Sequence, residues 1–360
     1  MKQILLLGGG KIGEMIAALL AGCGDYSVTV ADYSDASLEK FSGQKNIETK
    51  VLDFSKNDDV VAAMAGKFAA ISAAPYQLNA SLATSAGEAG VHYLDLTEDV
   101  KSTRLVKKLA KGAKTAFIPQ CGLAPGFISI VAYSLAKRFD TLHDVCLRVG
   151  ALAQFPSNAL KYNLTWSTDG LINEYIKPCE AVINGKIHEV PALGDLEHFT
   201  LDGIEYEAFN TSGGLGTLAE TLDGKVRNLN YRTVRYPGHR DMIKFLIKDL
   251  RLGERPDLLK EIFEYAIPAT NQDVVLVYVT VTGKQGGRLM QETYTNKIYA
   301  REIDGKIRSG IQITTASGIC AVLDLLATGK LRDNGLVRQE EISFEDFIEN
   351  RFGANFAAAG

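Results

Sequence analysis

Gly8-Gly9-Gly10-Lys11-Ile12-Gly13 matches GxGxxG, directly after an apolar run and ahead of a helical pattern. That is the context in which the motif holds a dinucleotide. Gly8 would allow the tight turn, Gly10 would let a pyrophosphate approach the backbone, and Gly13 would let the helix lie close to the strand. The N–H groups that open the helix, from Lys11 and Ile12 onward, would face the phosphates. The competing reading is a glycine-rich turn without a ligand. Asp32 ends the next strand-like run, where a ribose-binding carboxylate belongs. It would repel a 2′-phosphate, and Tyr33 and Ser34 bring no cation, so NAD is favoured over NADP; helix capping is the alternative role. Asp53 and Phe54 either flank the adenine or cap a helix. Small Ala74 and Pro75 leave room for the nicotinamide ribose, beside Tyr76, which either faces the reacting ring and substrate or packs as a half-buried tyrosine.

A second set could do acid–base and anion-binding work. Asp95 and Glu98 follow a strand-like run, and ligands of open parallel sheets bind beyond the C-terminal strand ends. Burial beside Leu94 and Leu96 would raise the Asp95 pKa toward neutrality, which suits a general acid–base. Capping of the following helix competes for Asp95, although Glu98 or Asp99 could cap it instead. Cys121 either contacts the nicotinamide and substrate or fills space as a small hydrophobe. Arg235, before a Pro-Gly turn, suits bidentate binding of a substrate carboxylate. Arg240, Arg232 and Lys161 are nearby cations for further carboxylates, and Arg227, Arg232, Arg235 and Arg240 form a cluster whose other reading is a solvated strand face or subunit contact. Thr211, Ser212, Gly213 and Gly214 offer hydroxyls and exposed N–H groups, a carboxylate nest. His239 could act as base, oxyanion donor or cap, with position favouring a cap or substrate contact. Trp166, the single tryptophan, lines either a pocket wall or a domain contact.

The elements that must position these residues alternate through the first 120 positions. Strands are predicted over 3–7, 27–31, 47–52, 69–74, 91–96 and 115–119, with helices from Ile12 and over 58–64, 78–89 and 100–110. Such alternation predicts an α/β fold with a parallel sheet covered on both faces. A helix is expected over 124–139 with Pro125 near its first turn. Strands then dominate, at 143–151, 181–183, 187–190, 229–236, 274–282, 289–303 and 307–314. Asn184-Gly185 is a strong hairpin signal, and Asp304-Gly305 another turn. Helices are expected over 239–250 and 257–266, and helical rhythm returns over 316–328 and 344–352. This predicts a dinucleotide-binding domain over 1–123, an α+β substrate domain with a mostly antiparallel sheet over 124–313, and C-terminal helices over 314–360. The last residues, 357–360, are expected to fray.

Bulk properties narrow the class. The chain has 360 residues, enough for two domains, and a net charge of −4, which argues weakly against nucleic-acid binding. Five cysteines at wide spacings without CxxC, and five histidines, none paired at ligand spacing, argue against zinc and for reduced thiols in the cytoplasm. The opening apolar run is too short for a signal peptide, and no stretch is expected to span a membrane.

Four segments resemble the saccharopine dehydrogenase family: residues 92–99 (HYLDLTED), 121–126 (CGLAPG), 208–214 (AFNTSGG) and 233–239 (TVRYPGH). The resemblance runs from the glycine loop to about residue 330. It implies a Rossmann domain, a substrate domain with a mostly antiparallel sheet, a C-terminal return to the first domain, and a homodimer. It also implies oxidation of a C–N bond with NAD, or NADP, as acceptor. One branch converts saccharopine to aminoadipate semialdehyde and L-glutamate by hydride transfer and imine hydrolysis. Another, lysine 6-dehydrogenase, would need an acid for the substrate's α-ammonium, such as Asp169, Glu174 or Glu205. Asp95 resembles a position near the substrate amine. A dinucleotide-sensing protein without catalysis is the reading from another class.

Overall fold

The run Lys2–Leu7 forms strand β1 and is buried from Ile4 onward. Its continuous apolar sequence suits a central parallel strand covered on both faces. The computed structural model describes residues 1–303 and 305–357. Chain order continues α1 (Lys11–Gly22), β2 (Tyr26–Asp32), α2 (Asp35–Leu38), β3 (Ile47–Val51), α3 (Asn57–Met64), β4 (Ala69–Ser72), α4 (Asn79–Ala89), β5 (His92–Asp95), α5 (Val100–Leu109), β6 (Ala116–Ile118) and α6 (Phe127–Ala136). Next come β7 (Thr141–Ala153), α7 (Thr168–Ile176), β8 (Cys179–Ile183), β9 (Lys186–Val190), β10 (Glu197–Leu201), β11 (Ile204–Asn210), α8 (Leu218–Leu222), β12 (Val226–Arg235), α9 (His239–Lys244), α10 (Pro256–Ala266), β13 (Asp273–Gln285), β14 (Arg288–Tyr299), β15 (Arg301–Ile303) and β16 (Lys306–Arg308). The chain closes with α11 (Gly310–Ala327), β17 (Gly335–Leu336) and α12 (Phe344–Glu349).

Two units result. Unit 1 comprises Met1–Ile130 and Gln312–Ala357. Its seven-stranded sheet runs β17-β6-β5-β4-β1-β2-β3, parallel throughout. Strand order reverses between β1 and β4, the place where such sheets bind ligands. Unit 2 comprises Val131–Ile311. Its sheet has eight strands with a β10-β11-β12-β7-β13-β14 path and β8–β9 attached to β12. The β7–β12 pair is parallel and the rest antiparallel, so the α/β class with a parallel Rossmann sheet and a mostly antiparallel second sheet holds. A core of Tyr162, Leu171, Tyr175, Phe209, Ile243 and Phe263, with further apolar residues, lies within unit 2.

The structure corrects several expected elements. The β-branched run 307–314 reads as strand, but α11 begins at Gly310. The Asp273 carboxylate accepts the N–H groups of Gly310 and Ile311 (3.0 Å for Ile311), a long-range cap that local sequence does not reveal. The helix expected from 124 starts only at Phe127, and Pro125 lies ahead of it behind a cis bond. Gly126, at φ +134°, takes a conformation that favours glycine. Helix α11 is, against expectation, long and apolar enough by composition to cross a membrane, yet 83% of it is buried inside the protein, as in a core helix. Helix α7 and strands β10, β11 and β17 were not expected. Asn184 and Gly185 both have positive φ and close the β8–β9 hairpin. Asp304 and residues 358–360, and with them part of one expected turn and of the frayed tail, lie outside the described residues.

Candidate functional site

Unit 1 supplies a dinucleotide cradle. At φ +108°, Gly8 ends β1 so close to β4 that a Cβ would stand 2.6 Å from the Ala73 carbonyl oxygen. A Cβ on Gly13 would stand 2.0 Å from the Gly8 carbonyl oxygen, whereas one on Gly10 would meet nothing within 4 Å. So Gly8 and Gly13 are required by packing, and Gly10 leaves open space above the helix start. Helix α1 has no side-chain cap, and its first N–H groups, at exposed Lys11 and half-buried Ile12, lack intrahelical acceptors. Gln312 donates to the Lys11 carbonyl (3.5 Å). Asp32 does not cap a helix; Ser34 does that for α2. Instead Asp32 Oδ2 accepts Gly9 N–H (2.7 Å) and Oδ1 accepts Ser34 N–H (3.0 Å), which ties the β2 end to the glycine loop. Each oxygen keeps a lone pair for a ribose hydroxyl. These features fit a dinucleotide.

The other cofactor candidates divide. Ala74 is half-buried and Pro75 exposed at the β4 end, next to half-buried Tyr76. Asp53 is exposed and accepts from Ser55 N–H (3.0 Å) and Ser55 Oγ (2.7 Å), which lowers its pKa; it closes a turn rather than capping α3. Phe54 is buried in the core with Leu52, Val60 and Met64, so it offers an adenine little surface.

The acid at the β5 end is Asp95, with no solvent exposure. Its Oδ1 accepts the N–H groups of Thr97 (3.0 Å) and Gln120 (2.9 Å), and its Oδ2 is buried without a partner. Gln120 reaches it from the left-handed region, at φ +66°. Burial pushes the Asp95 carboxyl up to about 6, against the pull of the Gln120 and Thr97 N–H groups and of the nearby Tyr93 hydroxyl. The cap of α5 is Asp99, which accepts Ser102 N–H (2.8 Å), so capping no longer competes for Asp95. Half-buried Glu98 is pushed up to about 7, by burial first and then by Asp99 and Asp95. Cys121 is 1% exposed; it donates to the Ile118 carbonyl (3.0 Å) and meets the Gln339 amide (3.3 Å). Burial holds its thiol well above the usual range, so it packs as a protonated thiol that anchors the C-terminal segment to the β6 end.

Unit 2 places Arg235 at the end of β12, 3% exposed. Its Nε donates to Tyr175 Oη (3.1 Å), its Nη1 to the Val234 carbonyl (2.8 Å), and its guanidinium lies 5.0 Å from the Tyr162 ring centre. Among the described residues it makes no ion pair. The Tyr162 hydroxyl is buried without a partner. His239 is 1% exposed, between the Leu160 carbonyl (Nδ1, 2.9 Å) and Tyr175 Oη (Nε2, 3.0 Å). Burial and then the Arg235 charge push its pKa down to about 3, so the ring is neutral. His239 does not cap α9; the buried Glu207 carboxylate does, accepting Gly238 N–H (2.8 Å) and Arg240 N–H (2.6 Å).

Residues 4–117 match the family model described as the saccharopine dehydrogenase NADP binding domain, and residues 122–353 the saccharopine dehydrogenase C-terminal domain. The chain belongs to the saccharopine dehydrogenase family. The matched dinucleotide-binding segment lies within unit 1. Saccharopine dehydrogenase [NADP(+), L-glutamate-forming] of Saccharomyces cerevisiae is 25% identical over 284 residues, covering 74% of this chain and 61% of that protein. The mitochondrial alpha-aminoadipic semialdehyde synthase of Bos taurus is 23% identical over 54% of this chain, which spans only 21% of the relative. Apo saccharopine dehydrogenase (L-Glu forming) of S. cerevisiae superposes with TM-score 0.78 at 18% identity over 97% of both chains. Homospermidine synthase of Legionella pneumophila, in complex with NAD, gives 0.71 at 13% identity, covering 99% of this chain and 90% of that one. At such identities the structural likeness speaks for the fold.

Within this family member the arginine cluster does not assemble. Arg227 pairs with Asp144 (2.6 Å), and Arg232 with Asp195 and Glu197. Arg240 pairs with Asp241 (3.2 Å) but keeps a buried Nε without a partner. Exposed Lys161 donates to the Pro237 carbonyl (3.2 Å), in the turn that follows Arg235. The expected nest is closed: Thr211 bonds Thr233 (2.8 Å) and Ser212 Oγ donates to the Pro178 carbonyl (2.9 Å). Gly213, at φ +89°, stays half-buried, and Gly214 is glycine because a Cβ would strike the Tyr231 ring at 2.3 Å. Asp169 pairs with Lys260 (2.6 Å) and Glu205 is exposed, while Glu174 is buried and adds negative charge near Arg235. Trp166 packs against the unit 2 core. Tyr175 and Glu207 were not singled out from sequence; Ser167, which caps α7, was the one local signal for the helix bearing Tyr175.

Proposed function

We propose that this protein is an NAD(P)-dependent saccharopine dehydrogenase that forms L-glutamate, oxidising the secondary amine of saccharopine to aminoadipate semialdehyde. The observation that carries the reading is Arg235, a buried guanidinium without an ion pair among the described residues, beside the unpartnered Tyr162 hydroxyl. Buried Glu174 lends negative charge nearby but no ion pair to the guanidinium, and a substrate carboxylate is the anion that would pair with it directly. Arg240 and Lys161 stand by the same turn for further carboxylates. The similarity to the yeast glutamate-forming enzyme supports the branch.

Asp95 takes the proton from the substrate ammonium before hydride leaves. Water adds to the iminium carbon and loses a proton to solvent, and Asp95 then protonates the carbinolamine nitrogen as the C–N bond breaks, the hydroxyl proton leaving to give the aldehyde. Its carboxyl, pushed up to about 6, is ionised at neutral pH yet basic enough to hold the proton in transit. Glu98, pushed up to about 7, is the second candidate, and Tyr76 supports the reacting centre from the β4 end. A bound nicotinamide supplies the hydride acceptor. Asp32 supports NAD as the preferred form, although the description of the matched N-terminal family model names NADP. The five unpaired cysteines support a cytoplasmic location, and family resemblance supports a homodimer.

Lysine 6-dehydrogenase is the second reading, favoured by the loss of Arg227 and Arg232 from the clamp. Initial rates of reduced-nicotinamide formation, with NAD and NADP each against saccharopine and lysine, decide between them. Turnover of saccharopine alone supports the first reading, turnover of lysine alone the second. No turnover of any amine with intact NADH binding returns the protein to a dinucleotide sensor.

A further inference from the structure

The hydrogen bonds around Arg235 run in one direction. The Leu160 carbonyl can only accept, so His239 Nδ1 carries the proton and donates to it at 2.9 Å. The ring is neutral, so Nε2 bears a lone pair, and the Tyr175 hydroxyl must donate to it across 3.0 Å. The Tyr175 oxygen is then free to accept from Arg235 Nε at 3.1 Å. The other hydrogen-bonded edge of Arg235 is fixed by the Val234 carbonyl, and one guanidinium face by the Tyr162 ring. The Phe209 ring lies nearly parallel to the His239 imidazole, at an interplanar angle of 12° with centroids 6.4 Å apart.

We infer that Tyr175 and His239 are positioning residues that set the orientation of the Arg235 guanidinium, and that the Tyr162 hydroxyl is a second donor to the same carboxylate. The inference rests on the reading of Arg235 as the substrate's carboxylate anchor. The Tyr162 oxygen is buried and makes no hydrogen bond of good geometry, with the Thr165 and Trp166 side chains near enough to interact with it, and a phenylalanine would fill the same core. A buried hydroxyl without a partner is unfavourable, and a carboxylate oxygen beside the guanidinium would satisfy it. Arg235 would then hold the ligand through its remaining N–H groups and Tyr162 through one O–H.

The test measures the dissociation constant of L-glutamate from the NADH-loaded enzyme, with NADH affinity determined in parallel and glutaramide as the uncharged control. Tyr175→Phe and Tyr162→Phe are each expected to weaken glutamate binding about 10-fold and to leave NADH and glutaramide unaffected. In an Arg235→Lys background, Tyr175→Phe is expected to add less than about 2-fold, because it acts through Arg235. Equal losses for glutamate and glutaramide, or full additivity with Arg235→Lys, would overturn the positioning role. Unchanged glutamate binding in Tyr162→Phe would remove that hydroxyl from the subsite. Wild-type binding of glutamate without turnover of saccharopine would sink the proposed reaction while leaving the carboxylate subsite standing.

Discussion

The acid in unit 1 and the cation in unit 2 are both buried, yet different groups control them. Asp95 is governed mainly by burial and the main chain: two backbone N–H groups bind one oxygen, and the other makes no hydrogen bond of good geometry, with the Tyr93 hydroxyl nearby. Arg235 is governed by side chains from α7 and α9, with an aromatic ring beneath it. Backbone donors at fixed positions tune how tightly a carboxyl holds its proton. A hydroxyl and a neutral imidazole leave a permanent charge untouched and set its direction. The first arrangement suits a group that must change protonation state, and the second suits one that must stay charged and point one way.

The largest effect that could break this contrast lies at Asp95. Asp95→Asn is expected to lower kcat by ~10²–10⁴-fold and to abolish an acid limb near pH 6 in kcat/KM, with cofactor affinity retained. A limb near 7 that survives this change and disappears in Glu98→Gln would move the role to Glu98. The pH effect on folding has a definite sign. Burial raises the folded pKa from 3.8 to about 6, so the folded state binds the proton more tightly and stability falls as pH rises between those values. Asp95→Asn is therefore expected to unfold in urea at pH 8 no more easily than the parent, with a gain of up to about 3 kcal/mol. A marked destabilisation at pH 8 would show that Asp95 serves the fold.

Arg235→Ala probes the other side. It is expected to raise KM for the carboxylate substrate roughly 10- to 100-fold, with little change in cofactor binding. A parallel loss of NADH affinity would mean that Arg235 holds the fold rather than a ligand. Asp32→Ala should have a smaller effect, a drop of about 10-fold in NAD over NADP preference, because it removes both the ribose acceptor and the bond to Gly9. Full preference in the variant would remove the ribose role. Smallest is Asp273→Ala, which takes the cap from α11: a loss of about 1–2 kcal/mol in urea unfolding with KM for substrate and cofactor unchanged.

Unit 1 was legible in the sequence because its elements answer to local rules. Gly8, Gly10 and Gly13 sit where a strand must turn into a helix, and the apolar runs mark central parallel strands. Asp95 could be named from its place at a strand end. Its freedom from the α5 cap could not, because Asp99 stands close enough to do either job. Unit 2 was harder to read. Arg227, Arg232, Arg235 and Arg240 look alike along the chain, and only their partners separate them. Helix α11 was misjudged over Gly310–Thr314 because its β-branched start is capped by Asp273, 37 positions earlier.

By itself the sequence determined the parallel sheet, the dinucleotide cradle and the acid at the β5 end, since each depends on residue type at short spacing within one strand–helix unit. Only the tertiary structure decided which of the four clustered arginines is left without an ion pair among the described residues, which nitrogen of His239 carries the proton, and that the Cys121 thiol is sealed. Those properties come from partners distant along the chain: Tyr175 lies 60 residues before Arg235, and Gln339 lies 218 after Cys121. Hydrogen-bond direction and burial are set by what packs nearby, and in this chain that packing comes from segments far apart in sequence.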